Sequence, residues 1–333
     1  MLHRFAQLVA ACTVLLVLAG SLVTSTGSGL SVPDWPTSYG WSMFTFPPSK
    51  WVGGIFYEHT HRLIASTVGF LTIVLAGWLW WKDPRPWMKR LGFAALGAVV
   101  AQGVLGGLTV LFYLPAAVST AHAGLAEIFF CLTVAIALFT SPGWLDQSPL
   151  FLRAPRAASP QLRRLAATTT GLIYLQILLG ATMRHTGAGL AIPDFPLMFG
   201  HVIPPRWDPK IAIHFAHRAG ALVVFTAIVA TAWHVRSRCR SQRELTRPAA
   251  LLVGLVIVQI ALGALTVLSG RDVAINSAHV LVGALVLATS LVLTLRAWHD
   301  RIEMVRLKAN ATARGVTAVR FQPDQVQNGR ARA

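Results

Sequence analysis

Long apolar runs separated by short polar segments dominate the chain. A helix needs about 20 mostly apolar residues to cross a bilayer, and eight runs reach that length. The runs lack the alternation of polar and apolar residues that marks a membrane β-strand, so they are predicted to be helices. The predicted spans cover about residues 5–24, 57–81, 91–113, 121–140, 165–184, 212–235, 248–268 and 277–298. The pattern predicts an all-α integral membrane protein with eight transmembrane helices.

The composition agrees with a chain that is solvated by lipid. Of its 333 residues, 54% are hydrophobic and 12% are charged. A soluble domain is usually about one-quarter charged. The composition therefore excludes an ordinary soluble enzyme.

The distribution of positive charge predicts the orientation of the helices. The net charge of +17 would suggest nucleic-acid binding in a soluble protein. With both termini in the cytoplasm, however, 22 of the 29 Lys and Arg fall on the inner side. This asymmetry follows the positive-inside rule, so membrane lipid is expected as the partner and nucleic acid is not. The basic inner segments are residue 4, 82–90, 141–164, 236–247 and the tail after 295.

Four motifs of the first half return in order in the second half, about 156–160 residues later. One chance match between apolar helices would be ordinary, but four in register indicate an internal repeat. The matching pairs are GSGLSVPDWP (27–36) with GAGLAIPDFP (187–196), QGVLGGLTV (102–110) with QIALGALTV (259–267), HR (61–62) with HR (217–218), and AH (121–122) with AH (278–279).

The repeat divides the chain into two similar four-helix halves. Because each half has an even number of crossings, the two bundles are predicted to be related by a pseudo-twofold axis along the membrane normal. The first half covers 1–140, the Pro-rich segment 141–164 is a cytoplasmic linker, and the second half covers 165–298. The polar, Arg-rich tail 299–333 is predicted to be a disordered cytoplasmic segment.

Four of the 11 histidines occupy repeated positions. His61 and His122 lie on the second and fourth spans, and His217 and His279 lie on the sixth and eighth. Each is a few residues inside a helix that enters from the outer side, so all four lie at a similar shallow depth near the outer face. Two histidines on facing helices at one depth can hold a haem iron axially. The pattern predicts one iron site in each half.

Other readings of these histidines stay open. An intramembrane histidine is often a hydrogen-bond partner between helices, although polar residues at membrane depth are also candidates for function. Duplication of both partners favours ligation. Zinc is disfavoured because no third or fourth ligand, and no cysteine, stands at a suitable spacing.

The halves differ beside the first histidine of each pair. Glu58 precedes His61 by three residues, whereas His214 stands at the same place before His217. Residues three apart share a helix face, so each is expected to point toward its histidine, while His59 is interpreted as an interfacial residue. A carboxylate there can accept a proton or stabilise a developing cation. We infer that the first half carries out chemistry and the second holds an electron-transfer cofactor, and the alternative for Glu58 is a side chain that snorkels at the helix mouth.

Two further residue types beside the histidines have less specific interpretations. Arg62 and Arg218 follow their histidines directly, and they can either pair with haem propionates or anchor the helices at the interface. The glycines of the repeated motif on the third and seventh spans, including Gly106 and Gly263, are interpreted as sites of close helix packing.

These motifs together resemble the haem A synthase family. The resemblance covers about residues 10–298 and depends on the TGSGLSVPDWP loop, the Glu-x-x-His-Arg motif, the Ala-His pair and their echoes in the second half. It implies an oxidoreductase that converts haem O into haem A by successive hydroxylations of a ring methyl, through a geminal diol that loses water to give the formyl group. The product serves haem-copper terminal oxidases.

The resemblance also implies site residues and partners. Glu58, His61 and His122 would form the substrate-haem site, and His217 and His279 would hold haem b. The expected partner is the haem O synthase, a protohaem farnesyltransferase, in the same cell membrane. The sequence identifies no electron donor and leaves a homo-oligomer open. Many family members carry two cysteines in the first outer loop, but residues 25–56 contain none, so a thiol-linked role cannot operate there.

Two other function classes remain as alternatives at this stage. A dihaem, cytochrome b-like electron carrier would hold both haems permanently, and Glu58 would be incidental. A transporter or haem chaperone would fit the parallel repeat, but it predicts helix breaks at mid-membrane, and the sequence shows no convincing break.

Overall fold

The computed structural model describes residues 1–145 and 158–313, with side chains up to residue 299. In these ranges the chain is almost entirely helical, and eight helices are long and apolar enough to cross a membrane. The predicted all-α membrane fold is confirmed. The long helices are α1 (Leu2–Ser25), α2 (Gly54–Lys82), α3 (Pro86–Leu111), α4 (Ala116–Phe139), α6 (Pro160–His185), α7 (Pro209–Arg238), α8 (Arg243–Leu268) and α9 (Val273–Ala313), with a single turn, α5 (Pro142–Leu145), after α4.

Proline and capping side chains set several helix starts. α3, α6 and α7 begin with proline, which needs no hydrogen-bond acceptor in the first turn. Ser159 caps α6 by accepting a hydrogen bond from the Leu162 amide. Asp208 caps α7 in the same way, with two backbone amides as donors.

The last helix is longer than the sequence pattern predicted. α9 runs from Val273 to Ala313, whereas the apolar run ends near 298. The segment after 298 was expected to be disordered, yet its first part is helical, because it is rich in Ala, Leu, Met, Arg and Lys, which favour helix. Residues 314–333 of the predicted tail, and 146–157 of the predicted linker, lie outside the described residues.

Corresponding helices in the two halves have corresponding neighbours. α1 contacts α2 and α4, as α6 contacts α7 and α9; α3 contacts α2 and α4, as α8 contacts α7 and α9. Between the halves α1 lies against α9, and α4 lies against α6. This exchange of partners is what a pseudo-twofold arrangement requires, and the axis itself stays a prediction.

Three apolar clusters hold the described helices together. One lies within each half, and a smaller one joins the halves through α4 and α9. Representative buried residues are Leu75, Leu79, Met88 and Ile136 in the first half, Leu162, Ile228, Leu252 and Leu287 in the second, and Phe130, Ala284 and Ala288 between them.

Two long loops cover the helix ends that carry the repeated histidines. Loop L1 (26–53) joins α1 to α2, and loop L2 (186–208) joins α6 to α7. Each contains one isolated β-bridge at an equivalent place, Ser38 with Trp41 and Met198 with His201. The repeated loop sequence therefore has a repeated backbone structure.

Candidate functional site

The structure brings the four repeated histidines together in two pairs, one in each half. They lie six to eight residues after the first residues of α2, α4, α7 and α9, or about 9–12 Å along the helix axis. His61 is close enough to His122 for the two imidazoles to interact electrostatically, and His217 is equally placed for His279. Each half thus brings its two repeated imidazoles within electrostatic reach of each other.

Each imidazole packs on a glycine of the helix that precedes it in the chain. A β-carbon added at the glycine would come 3.0 Å from Cε1 of His61, 3.3 Å from that of His122, 2.8 Å from that of His217 and 3.1 Å from that of His279. The glycines therefore make room for the rings. They are Gly20, Gly106, Gly180 and Gly263 respectively.

Gly106 and Gly263 therefore have a more specific role than the helix packing that the sequence suggested. Both lie against imidazoles rather than against a helix backbone. Gly107, next in the motif, lies instead against the Trp35 indole of L1. The repeat already contained this information, because each glycine has a glycine at the equivalent place in the other half.

The hydrogen bonding of the rings fits ligation by a group from outside the chain. Among the described residues, neither the His61 ring nor the His122 ring has a hydrogen-bond partner, and their Nδ1 atoms are buried. Buried polar groups normally have partners. The described residues contain no group of three or more His, Cys, Asp or Glu side chains that could hold a bare metal ion. A haem needs only two axial ligands from the protein, so the paired imidazoles fit a haem.

Glu58 forms a buried ion pair that fastens L1 to α2. Its Oε1 lies 2.7 Å from Nη2 of Arg62, and its Oε2 accepts a hydrogen bond from the Val32 amide at 2.8 Å. The Arg62 guanidinium also donates to the carbonyl oxygens of Val32, Asp34 and Thr37. Both side chains are at least 90% buried. Glu58 therefore has a structural role beside any role in chemistry.

His214 and Arg218 reproduce this arrangement in the second half without a carboxylate. Nδ1 of His214 accepts a hydrogen bond from the Ile192 amide at 3.2 Å, and its Nε2 accepts one from Nε of Arg218 at 3.1 Å. Arg218 donates to the carbonyl oxygens of Ile192 and Leu197. The imidazole thus holds the same loop position that the carboxylate holds in the first half, and it carries no negative charge.

Arg62 and Arg218 thus fasten L1 and L2 to the helices, a role that differs from both interpretations of the sequence, which were a partner for haem propionates and an anchor at the membrane interface. The structure gives their guanidinium groups several backbone carbonyl partners each. Pairing of either arginine with a haem propionate stays a prediction.

His59 differs from its interpretation as an interfacial residue. It is fully buried, because L1 folds back over it with the rings of Phe46 and Trp51. Its Nδ1 lies 3.2 Å from the Ser38 hydroxyl. His59 therefore belongs to the core beneath the loop.

Comparison with known proteins connects this geometry to a family. The profile of the COX15-CtaA family, described as cytochrome oxidase assembly proteins, matches residues 3–291. The chain belongs to the COX15-CtaA family. The matched range includes all four repeated histidines and Glu58.

Curated relatives of the family cover most of the chain. The haem A synthase of Symbiobacterium thermophilum is 34% identical over 260 residues, which are 77% of this chain and 82% of the relative. Those of Shouchella clausii and Halalkalibacterium halodurans are each 30% identical, over 80% and 86% of this chain and 87% and 95% of their own lengths.

Three polar residues near the sites were missed by the sequence analysis. Arg184 donates hydrogen bonds to the Ser25 hydroxyl and the Ser21 carbonyl of the first half, and no described carboxylate forms an ion pair with it. Its neighbour His185 lies within electrostatic reach of His122. Glu127 is buried on α4 with Oε2 unpartnered among the described residues. These three residues lie outside the motifs that the two halves share, so the repeat gave no signal for them.

Replacing Arg62 tests the loop anchors. Arg62→Ala leaves Glu58 as a buried charge without its partner, and we expect a loss of about 3–5 kcal/mol in stability. Arg218→Ala leaves only a neutral imidazole, so its loss is expected to be smaller, about 1–3 kcal/mol. Hydrogen–deuterium exchange of L1 and L2, with thermal unfolding in detergent, measures both. Equal losses for the two variants would contradict the assignment of the ion pair.

The hydrogen bonds of Asp34 predict that the stability of L1 depends on pH. Burial alone would raise the pKa of its carboxyl, but hydrogen bonds from the Gly40 amide, the Thr37 hydroxyl and the Tyr39 amide outweigh burial and hold the pKa below 3.8. Because the pKa is lower in the folded state, the carboxylate stabilises the loop at pH values above its unfolded pKa. This stabilisation is lost as the pH falls through the folded pKa.

We therefore expect amide protection factors at Tyr39 and Gly40 to be constant from pH 7 to about 5. They should fall only at a pH below 3.8, as the carboxyl of Asp34 gains its proton. Asp34→Ala should lack this protection at every pH. Equal protection of the wild-type loop and of Asp34→Ala at pH 7 would contradict the assignment.

Proposed function

We propose that this protein is an enzyme of haem A biosynthesis that oxidises a ring methyl of haem O to the formyl group of haem A. The relatives are named haem A synthases, and the histidine pairs fit a haem in each half. The observation that carries the proposal is the single carboxylate, Glu58, beside the first pair, with imidazole at the equivalent place beside the second.

The first half is proposed to bind the substrate. His61 and His122 would hold the iron of haem O, with their rings seated on Gly20 and Gly106. Each hydroxylation of the methyl removes two electrons and adds one oxygen atom, so an external oxidant such as dioxygen must accept the electrons and provide the oxygen atom. Two hydroxylations give a geminal diol, which loses water to leave the formyl group. The reaction is an oxidation at a CH3 group, so it needs a site that tolerates positive charge at the reacting carbon.

Glu58 meets that need because its negative charge is fixed in place. Its two oxygens are held by Arg62 and the Val32 amide, so the carboxylate does not have to reorganise as charge develops nearby. Such preorganised charge is the largest single contribution in many enzymes. The carboxylate can also accept a proton from the carbon being oxidised.

The second half is proposed to hold haem b as a resident cofactor. His217 and His279 would ligate its iron, and this haem would transfer electrons to the first half. His214 and Arg218 keep L2 closed over the site through their bonds to Ile192 and Leu197. No carboxylate lies at the Glu58-equivalent position, which suits a haem that must stay unmodified.

The proposal places the enzyme in the cell membrane, with both termini in the cytoplasm and both sites near the outer face. The charge distribution supports this orientation. The haem O synthase, as source of the substrate, is its proposed partner. The product would be used in the assembly of terminal oxidases.

Expression in a host that makes no haem A tests the function. We expect formyl-bearing haem, identified by extraction and chromatography, only when this protein and a haem O synthase are both present. Haem O that accumulates unchanged, with haem b in both halves, would contradict the proposal and favour the cytochrome b-like electron carrier.

A further inference from the structure

The two halves differ in a second, partly buried pair, on the helices that carry or adjoin the first histidine of each half. In the second half Gln176 of α6 reaches His217 of α7. Its amide nitrogen lies 3.0 Å from Nδ1 of His217 and donates to the carbonyl oxygen of the same residue at 2.7 Å. One side chain therefore contacts both the ring and the backbone of this histidine.

The space for this glutamine comes from Gly220. A β-carbon at Gly220 would collide with Oε1 of Gln176, so the glutamine can take this position only because residue 220 has no side chain. The pair Gln176–Gly220 is thus a matched large-small combination across α6 and α7.

The first half carries an apolar pair at the equivalent positions. The repeat aligns Gln176 with Leu16, by the offset that relates Gly180 to Gly20, and Gly220 with Ile64, by the offset that relates His217 to His61. Leu16 and Ile64 both pack against the first-half core. The exchange is coupled, because the polar side chain and the glycine occur together in one half and neither occurs in the other.

His61 is consequently the repeated histidine that lacks a glutamine. The amide of Gln102 donates to the His122 carbonyl at 2.8 Å, and the amide of Gln259 lies 3.4 Å from Nε2 of His279. Among the described residues, no side chain contacts the His61 ring by a hydrogen bond, and its Nδ1 is buried without a partner. The amides contact the backbone of His122 and a ring nitrogen of His217 and of His279, whereas His61 has no amide contact. Among the described residues only His217 has a partner at Nδ1, because the Nδ1 atoms of His61, His122 and His279 are buried without one.

We propose that Gln176 is a positioning residue that makes the second-half haem site permanent, and that the Leu16–Ile64 pair leaves His61 free to release its haem. This inference rests on the proposed function. A hydrogen bond to the ring nitrogen that does not bind the metal fixes the ring and increases its ligand strength, and loss of such a partner typically weakens metal binding about 10–100-fold. A resident cofactor needs this stronger binding of its iron, whereas a substrate and its product must leave.

The amide suits this task in either tautomer of the imidazole. As placed, the amide nitrogen can only donate, so Nδ1 of His217 accepts. When Nε2 binds iron, Nδ1 carries the hydrogen and needs an acceptor. Rotation of the terminal amide presents Oε1 to Nδ1, at the expense of the bond to the His217 carbonyl. Leucine at position 176 has neither group.

The transfer of haem to excess apomyoglobin tests the inference on the full chain in detergent. In a His61→Ala/His122→Ala background only the second half retains haem. There we expect Gln176→Leu to release haem about 10–100 times faster than the unaltered second half, with a changed midpoint potential. The double variant Gln176→Leu/Gly220→Ile gives the second half the apolar pair that the first half has. It should therefore pack well even where the single variant is poorly folded, and its release of haem should stay fast. Unchanged release from a folded double variant would overturn the inference.

The reciprocal exchange provides the matched control. In a His217→Ala/His279→Ala background, Leu16→Gln/Ile64→Gly should slow the release of haem from the first half by a similar factor. A first half that releases haem at the same rate would count against the inference. Haem A formation by the otherwise unaltered protein is measured separately, so failure of the proposed function is distinguished from failure of the role of Gln176.

Discussion

Glu58→His is expected to abolish haem A formation while the protein keeps its fold, its loop and its haem. The second half already has an imidazole at the equivalent position, where His214 accepts hydrogen bonds from the Ile192 amide and from Arg218. A histidine at 58 can accept from Val32 and Arg62 in the same way. The substitution therefore removes the negative charge and preserves the anchor. Loss of a preorganised electrostatic contact costs about 10²–10³-fold in rate.

Chromatography of extracted haems from cells that supply haem O measures this effect. His214→Glu is the matched control, because it adds a carboxylate to the second half and leaves the first half intact, so formation of haem A should continue. Glu58→Ala is less informative, because it removes the charge and also releases L1 from the bond at Val32. Full haem A yield from a folded Glu58→His variant would show that the carboxylate has no part in the chemistry.

A methyl group on the glycine behind an imidazole is expected to displace haem from its own half alone, and only where too little space separates the glycine from the ring. The loss of haem should be larger where the added β-carbon would lie closer to the imidazole. Gly180→Ala places a β-carbon 2.8 Å from His217, closer than any real β-carbon contact, whereas Gly106→Ala leaves 3.3 Å to His122. Overpacking of this kind costs about 1–3 kcal/mol, so we expect Gly180→Ala to lose most of the second-half haem and Gly106→Ala to lose little.

Haem per chain, with iron and protein measured on purified samples, checks this order. Gly254→Ala on α8 serves as the control, because nothing lies within 4 Å of its added β-carbon. Loss of haem in the control, or a larger loss for Gly106→Ala than for Gly180→Ala, would contradict the seating of the rings on these glycines.

The fold was largely predictable because the bilayer restricts the choices. Hydrophobic length and the absence of polar alternation predicted eight helices, and each predicted span lies within an observed helix or within two residues of one. The end of α9 was missed because the apolar run stops at the membrane boundary, whereas the helix continues through residues of high helix propensity.

The positions of the candidate site residues were predictable where the two halves repeat and less so where they differ, and their part in binding haem stays a prediction. The four histidines, Glu58 and His214 followed from matched positions. The contact of Gln176 with His217 could not be predicted from the sequence, because it depends on the space that Gly220 leaves across a helix interface.

The polar partners within the loops were also beyond sequence reasoning. Arg62 follows His61 directly, which suggested either a haem propionate as its partner or an anchor at the membrane interface. In the structure its guanidinium binds the carbonyls of Val32, Asp34 and Thr37. Those residues lie about 25–30 positions earlier in the chain. Only the folded loop brings their carbonyl oxygens to the arginine.

The central claim is that each half binds a haem between its own two histidines. Low-temperature electron paramagnetic resonance of the oxidised, purified protein tests it most directly. We predict a low-spin ferric signal with two bis-imidazole components. His217→Ala and His279→Ala should each remove the component of the second half, and His61→Ala should remove that of the first half. The same signal in all three variants would contradict the claim, because the iron would then be bound elsewhere.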